Sequence, residues 1–272
     1  MRKILKCLLL IVLLQSCEEQ TDWPLQTGKL NFAVVDGIIS DEMKIQSIHV
    51  SRPVTEINEM AQAVSNATVL VSSDQTVYSF HEIPDNKGTY VSDVSFKGEN
   101  DKIYSLSITD GTQLYSAKAV LAPPEDSPFI GFVKNTTDEK FHLTNVPFPY
   151  DPDHSAMFEI LLDWSTAPGY ENTNPDLCKA KLYYYVLKTL DVSEIFAPGM
   201  EKITFPSGTA LTERRYSLTD DHATFIRALL LETTWQGGFF NTATANIPTN
   251  LSTGAAGFFG ACGVVEKTEI VK

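Results

Sequence analysis

The chain has 272 residues, of which 43% are hydrophobic, enough to bury a sizeable core in one large or two ordinary domains. Its 34 acidic residues outnumber 21 basic ones, and a formal charge of −13 repels phosphate backbones, which excludes a nucleic-acid binder. Four cysteines in so long a chain are too few for a disulfide scaffold.

Residues 1–17 read MRKILKCLLLIVLLQSC. Arg2, Lys3 and Lys6 form a cationic start, and Cys7 to Leu14 form an apolar run. Eight helical residues reach about 12 Å, well short of a hydrocarbon core of about 30 Å, so the run is the core of a signal peptide rather than a membrane span. The following Leu14-Gln15-Ser16-Cys17 resembles a bacterial lipobox. That resemblance implies cleavage after Ser16 and acylation of Cys17, giving a signal peptide over 1–16 and a lipid anchor that holds stably through its buried methylenes. Glu18, Glu19 and Asp22 follow at once in a tether over 17–28. This acidic cluster resembles the export signal that sends lipoproteins to the outer face of the outer membrane.

Beyond the tether the pattern turns to period two, as half-buried strands require. Strands are predicted at Lys29–Asp36, Ile45–Ser51, Ala67–Ser72, Thr76–Phe80 and Tyr90–Val94. A hairpin follows, in which Tyr104, Leu106 and Ile108 alternate with hydroxyl residues, Asp110-Gly111 turns the chain, and Leu114–Leu121 returns. Short strands at this density predict an antiparallel β-sandwich, Ig/transthyretin-like, over 29–122. The proline-rich stretch from Ala122 to Pro128 reads as a stiff connector, which places a second β-rich domain over 123–272. There, strands are predicted at Phe158–Trp164 and Lys181–Thr189. One short helix is predicted over 220–232, with Thr219 as N-cap and Ala223, Ile226, Leu229 and Leu230 as its apolar stripe. Ser252–Val265, with a glycine at every third position from Gly254 to Gly263, reads as a last strand with close backbone packing.

Several short stretches then carry a family likeness: the lipobox with its acidic tether, Phe32-Ala33-Val34-Val35-Asp36-Gly37-Ile38-Ile39, and the run from Ala67-Thr68-Val69 through Gly88-Thr89-Tyr90 and Tyr104-Ser105-Leu106 to Tyr115-Ser116-Ala117. Ile247-Pro248-Thr249-Asn250 and Gly257-Phe258-Phe259-Gly260 complete it. Together they resemble the Bacteroidota lipoproteins known as domain of unknown function 4249. Such proteins are often encoded beside TonB-dependent outer-membrane receptors. The resemblance implies a surface-facing, lipid-anchored accessory or binding partner of such a transporter, and it supplies no catalytic residue. The chain departs from the family pattern at Asn250-Leu251-Ser252-Thr253-Gly254, where a Glu is expected and Ser252 stands.

The residues themselves offer little chemistry. No His-x-x-x-His, Gly-x-Ser-x-Gly elbow or phosphate-binding glycine loop occurs, so neither metal, cofactor nor enzymatic activity is expected. A hydrolase site near Asp151 and His154 is the weaker alternative, and a structural or adhesive surface module is another. Cys262 has no basic sequence neighbour to activate it. Cys178 and Cys262, the thiols left after processing, are candidates for a disulfide in an oxidising compartment. Phe148 and Tyr150, beside prolines, and Trp235, Phe239 and Phe240, after the helix, are the candidate binding aromatics.

Overall fold

Alternating burial organises the strands, in a computed structural model that describes residues 32–54, 56, 58–144, 153–189, 203–234 and 247–272. Mainly β structure results. The first half supplies β1 (Ala33–Ser40), β2 (Ser47–Ser51), β3 (Thr68–Ser73), β4 (Thr76–Glu82), β5 (Thr89–Ser92), β6 (Ile103–Asp110) and β7 (Gln113–Val120). In β6, Tyr104, Leu106 and Ile108 point inward and are buried, whereas Ser105, Ser107 and Thr109 point outward. Leu106 lies opposite Val71 on one side and Ala117 on the other, and Ile108 opposite Val69 and Tyr115. Each aliphatic side chain so buried contributes roughly 1.5–3 kcal/mol.

The second half supplies β8 (Phe132–Lys134), β9 (Phe141–Leu143), β10 (Ala156–Asp163), β11 (Lys179–Val186), β12 (Ala210–Ser217), the helix α1 (Asp220–Glu232), β13 (Ala255–Cys262) and β14 (Val264–Ile270). A single eight-stranded sheet, ordered β13-β1-β2-β5-β4-β3-β6-β7, takes the place of the two stacked sheets expected. Its end strands come together through bridges at Ala122–Cys262 and Ala117–Leu251, so it curls into a nearly closed barrel. A four-stranded sheet, β11-β10-β12-β14, and the β8–β9 hairpin complete the architecture.

The division expected at residue 122 is crossed by β13, which pairs in parallel with β1 from Ala33–Ala255 to Ser40–Cys262. Residues 31–272 form one compact unit. The connector is fastened rather than free. Arg215 binds both the carbonyl and the carboxylate of Glu125, and Lys267 pairs with Asp126. Ile130 N–H donates to Glu213, 2.7 Å away. Burial raises the Glu213 carboxyl, against the pull of that N–H and of Lys267.

Helix α1 spans the residues its sequence pattern predicts. Thr219 holds the N-cap position without a side-chain capping bond; Asp220 and Asp221 instead place negative charge at the first turn.

Candidate functional site

Sequence-predicted site residues divide into those described and those not. Cys17, Glu18, Glu19, Asp22, Phe148, Tyr150, Asp151, Trp235, Phe239 and Phe240 lie outside the described residues. His154 is described, with Nε2 4.0 Å from a Glu125 carboxylate oxygen. Among the described residues, no group of His, Cys, Asp or Glu is arranged to hold a metal ion.

The Cys178–Cys262 bridge is corrected by the topology. Both thiols are free and buried. Cys178 sits beyond one end of β10, where its carbonyl accepts the Trp164 N–H at 2.9 Å. Cys262 sits beyond the other end, next to Gly263, whose carbonyl accepts the N–H of Ser217 opposite Ala156. The eight residues of β10 between them span roughly 26 Å. A disulfide requires Cα atoms within about 7 Å.

Cys262 instead meets a histidine that sequence proximity hides. His222, in the first turn of α1, brings Nδ1 to 3.7 Å from Cys262 Sγ. Its ring lies on Phe258, with centroids 4.6 Å apart and planes 16° from parallel. Burial, followed by the nearby Asp41, pushes the thiol up to about 12. Burial also pushes the imidazole down to about 4. Both partners are therefore held neutral, the opposite of a thiolate–imidazolium pair.

A polar cluster joins the eight-stranded and the four-stranded sheets. Gln46, fully buried, builds the loop after β1. Its Oε1 accepts the Ser40 N–H, and its Nε2 faces the carbonyls of Ser40, Glu42 and Phe96. This loop carries Glu42 to Arg214 on β12, 2.5 Å away. Arg214 also meets Glu159 at 3.4 Å and Glu266 at 3.3 Å, and its guanidinium lies 5.3 Å from the Tyr216 ring centre. Glu159 further accepts Lys181 at 2.6 Å, Tyr216 at 3.1 Å and Tyr183 at 3.2 Å. Burial alone would raise the Glu159 carboxyl, but these donors outweigh it and hold it below its ordinary range. A carboxylate saturated in this way is a structural junction, since its lone pairs are committed.

A family model described as Domain of unknown function (DUF4249) matches residues 18–268. The chain belongs to this family. A comparison with curated proteins finds no match.

Several of the described stretches that carry the DUF4249 likeness fasten the eight-stranded sheet. Tyr90 OH accepts the Ala67 N–H and donates to the Val64 carbonyl, which pins the approach to β3. Gly88, at a φ of 79°, donates its N–H to Glu82. That bond leads the interactions that hold the Glu82 carboxylate down to about 2. Asn250 bridges the end strands: its Nδ2 donates to Lys118 O at 3.0 Å and Phe259 O at 2.7 Å, and its Oδ1 accepts the Phe259 N–H. Ser252, standing where the pattern leads one to expect Glu, accepts the Ser116 N–H through its hydroxyl at 3.0 Å. Leu251 between them is buried in the barrel core.

Proposed function

We propose that the protein is a surface-exposed outer-membrane lipoprotein, anchored through Cys17, that serves as a non-enzymatic accessory or binding partner of a TonB-dependent transporter. The observation that carries the anchor is Leu14-Gln15-Ser16-Cys17 closing an apolar run, with Glu18 and Glu19 directly behind it. Acylation there would tether the domain to a membrane through the twelve-residue acidic segment 17–28. The role by contact draws support from the Cys262–His222 pair, which is buried and held neutral, and from the saturated Glu159 carboxylate. Both are committed to packing or to structural hydrogen bonds. In this reading the aromatics Phe148, Tyr150, Trp235, Phe239 and Phe240 anchor the partner.

Metabolic labelling with a clickable fatty acid tests the anchor. The wild-type chain takes up label, and Cys17→Ala loses it and accumulates uncleaved. Continued labelling of the Ala variant contradicts the assignment. Replacing Glu18, Glu19 and Asp22 with Ala keeps the label and removes cleavage by protease added to intact cells. Unchanged cleavage reduces the acidic cluster to a tether.

A further inference from the structure

His222 is buried, at 5% exposure, in a slot shaped for an uncharged ring. Phe258 forms its floor, and Phe225 from the next turn of α1 stacks on that same phenyl, 5.0 Å between centroids. Gly260 forms the wall: a Cβ there would lie 2.6 Å from His222 Cε1, so the absence of a side chain on β13 makes room for the imidazole. The polar neighbour is the Cys262 thiol.

We propose that His222 is an acid-sensitive latch that clamps α1 to β13, and that protonating it releases the helix while the β1–β13 ladder stays paired. A proton on the ring would place a cation against the single face of Phe258 and a neutral thiol, contacts that do not replace the hydration the charge loses on burial. The other titratable groups on the elements packed around α1 leave this outcome standing, since burial alone accounts for the lowered imidazole. Asp36, opposite Phe258 on β1, has its own carboxyl raised by burial against the pull of His49, and Arg227 and Glu232 lie further along the helix. Tyr216 on β12 and Tyr185 on β11 have their phenols raised by burial and stay neutral. Asp41, past the end of β1, is engaged by the Val264 N–H and acts on Cys262. Asp220 at the start of the helix pairs with Lys188, and Asp221 is exposed. The helix rests on the sheet through side chains, among them Ala223, Ile226 and Leu230, whereas β13 is held to β1 along its whole length by backbone pairing. Release of the first therefore leaves the second intact.

The sign follows from linkage. A histidine near 6.5 when exposed and about 4 when buried stabilises the docked helix fully above pH 6.5 and progressively loses that stabilisation down to pH 4. Between pH 7.5 and pH 5.0 the undocked population of α1 rises roughly thirtyfold. Hydrogen exchange on the full chain, corrected for the intrinsic rate at each pH, reads this directly. The expected result is a roughly thirtyfold rise in the opening equilibrium of the α1 amides, with β1 and β13 amides unchanged. His222→Phe, which fits the same aromatic stack, abolishes the pH dependence. Equal pH dependence in that variant, or β1 and β13 opening together with α1, overturns the latch. An NMR titration of the wild-type ring stands independently of any variant: titration near 4 supports the latch, and titration near 6.5 overturns it.

Discussion

Gly257→Ala is expected to destabilise the protein by about 4 kcal/mol, the sum of backbone strain and overpacking at one position. Gly257 has a φ of +92°, and a Cβ there would lie 2.0 Å from the Val35 carbonyl oxygen, its partner across the parallel β1–β13 ladder. The obstruction is backbone, which cannot rotate away as a side-chain tip would. Because β13 is also the strand against which Asn250 closes the sheet, the loss spreads to the β7 edge. Gly111→Ala is the control. Gly111 has a positive φ of 59° with nothing within 4 Å of an added Cβ, so it carries strain alone and costs about 1 kcal/mol. Urea denaturation of the two variants at pH 7.5 separates them; equal midpoints would mean that β1 and β13 are not packed at this register.

Arg214→Met is expected to cost about 3 kcal/mol, at the lower end for a broken buried ion pair because Glu42 still reaches solvent and keeps Lys44. Glu159 would keep Lys181 and two tyrosine hydroxyls but lose the guanidinium that crosses to the barrel loop. Adding Glu159→Leu to Arg214→Met should cost less than the two single losses summed, because the Arg214–Glu159 contact is lost in both singles, even though the Tyr216 hydroxyl is left without its partner. A double-mutant cycle by urea denaturation checks it. Additive losses in the double variant would show that the junction does not act as one unit.

The local elements were legible and the long-range pairings were not. Strands β1 to β7 announce themselves because one face packs into the barrel and the other meets water, which writes period two into the sequence. Helix α1 is legible from its apolar stripe and acidic first turn. Strand β12 carries Glu213, Arg214 and Arg215 in succession, and no strand is predicted there because the run lacks apolar alternation. It is a central strand because both faces find partners, Glu125 and Ile130 on one side and Glu42 and Glu159 on the other. The strand expected over 252–265 is split: β13 joins the barrel and β14 the smaller sheet, with the turn at Gly263 tucked under Pro124. Nothing local records that β13 pairs with β1 across the length of the chain, and this is why a linear boundary at 122 looked natural.

The candidate sites show the same limit. Cys262 looked isolated because its neighbour His222 lies forty positions away. The junction at Arg214 gathers residues from Glu42 to Glu266, too scattered for any motif. By contrast, the importance of Asn250 was visible as part of a family-like stretch, although its role as the fastening between β7 and β13 needed the fold.

Function by contact is the central claim, and affinity purification of the tagged, lipidated chain from membranes in mild detergent tests it most directly. A TonB-dependent receptor is expected to co-purify in comparable amount. Changing Trp235, Phe239 and Phe240 to Ser should lose the receptor while leaving the urea midpoint of the chain unchanged. A monodisperse lipoprotein with no receptor, at native expression and after cross-linking, would rule out the transporter partnership and favour a structural or adhesive surface module.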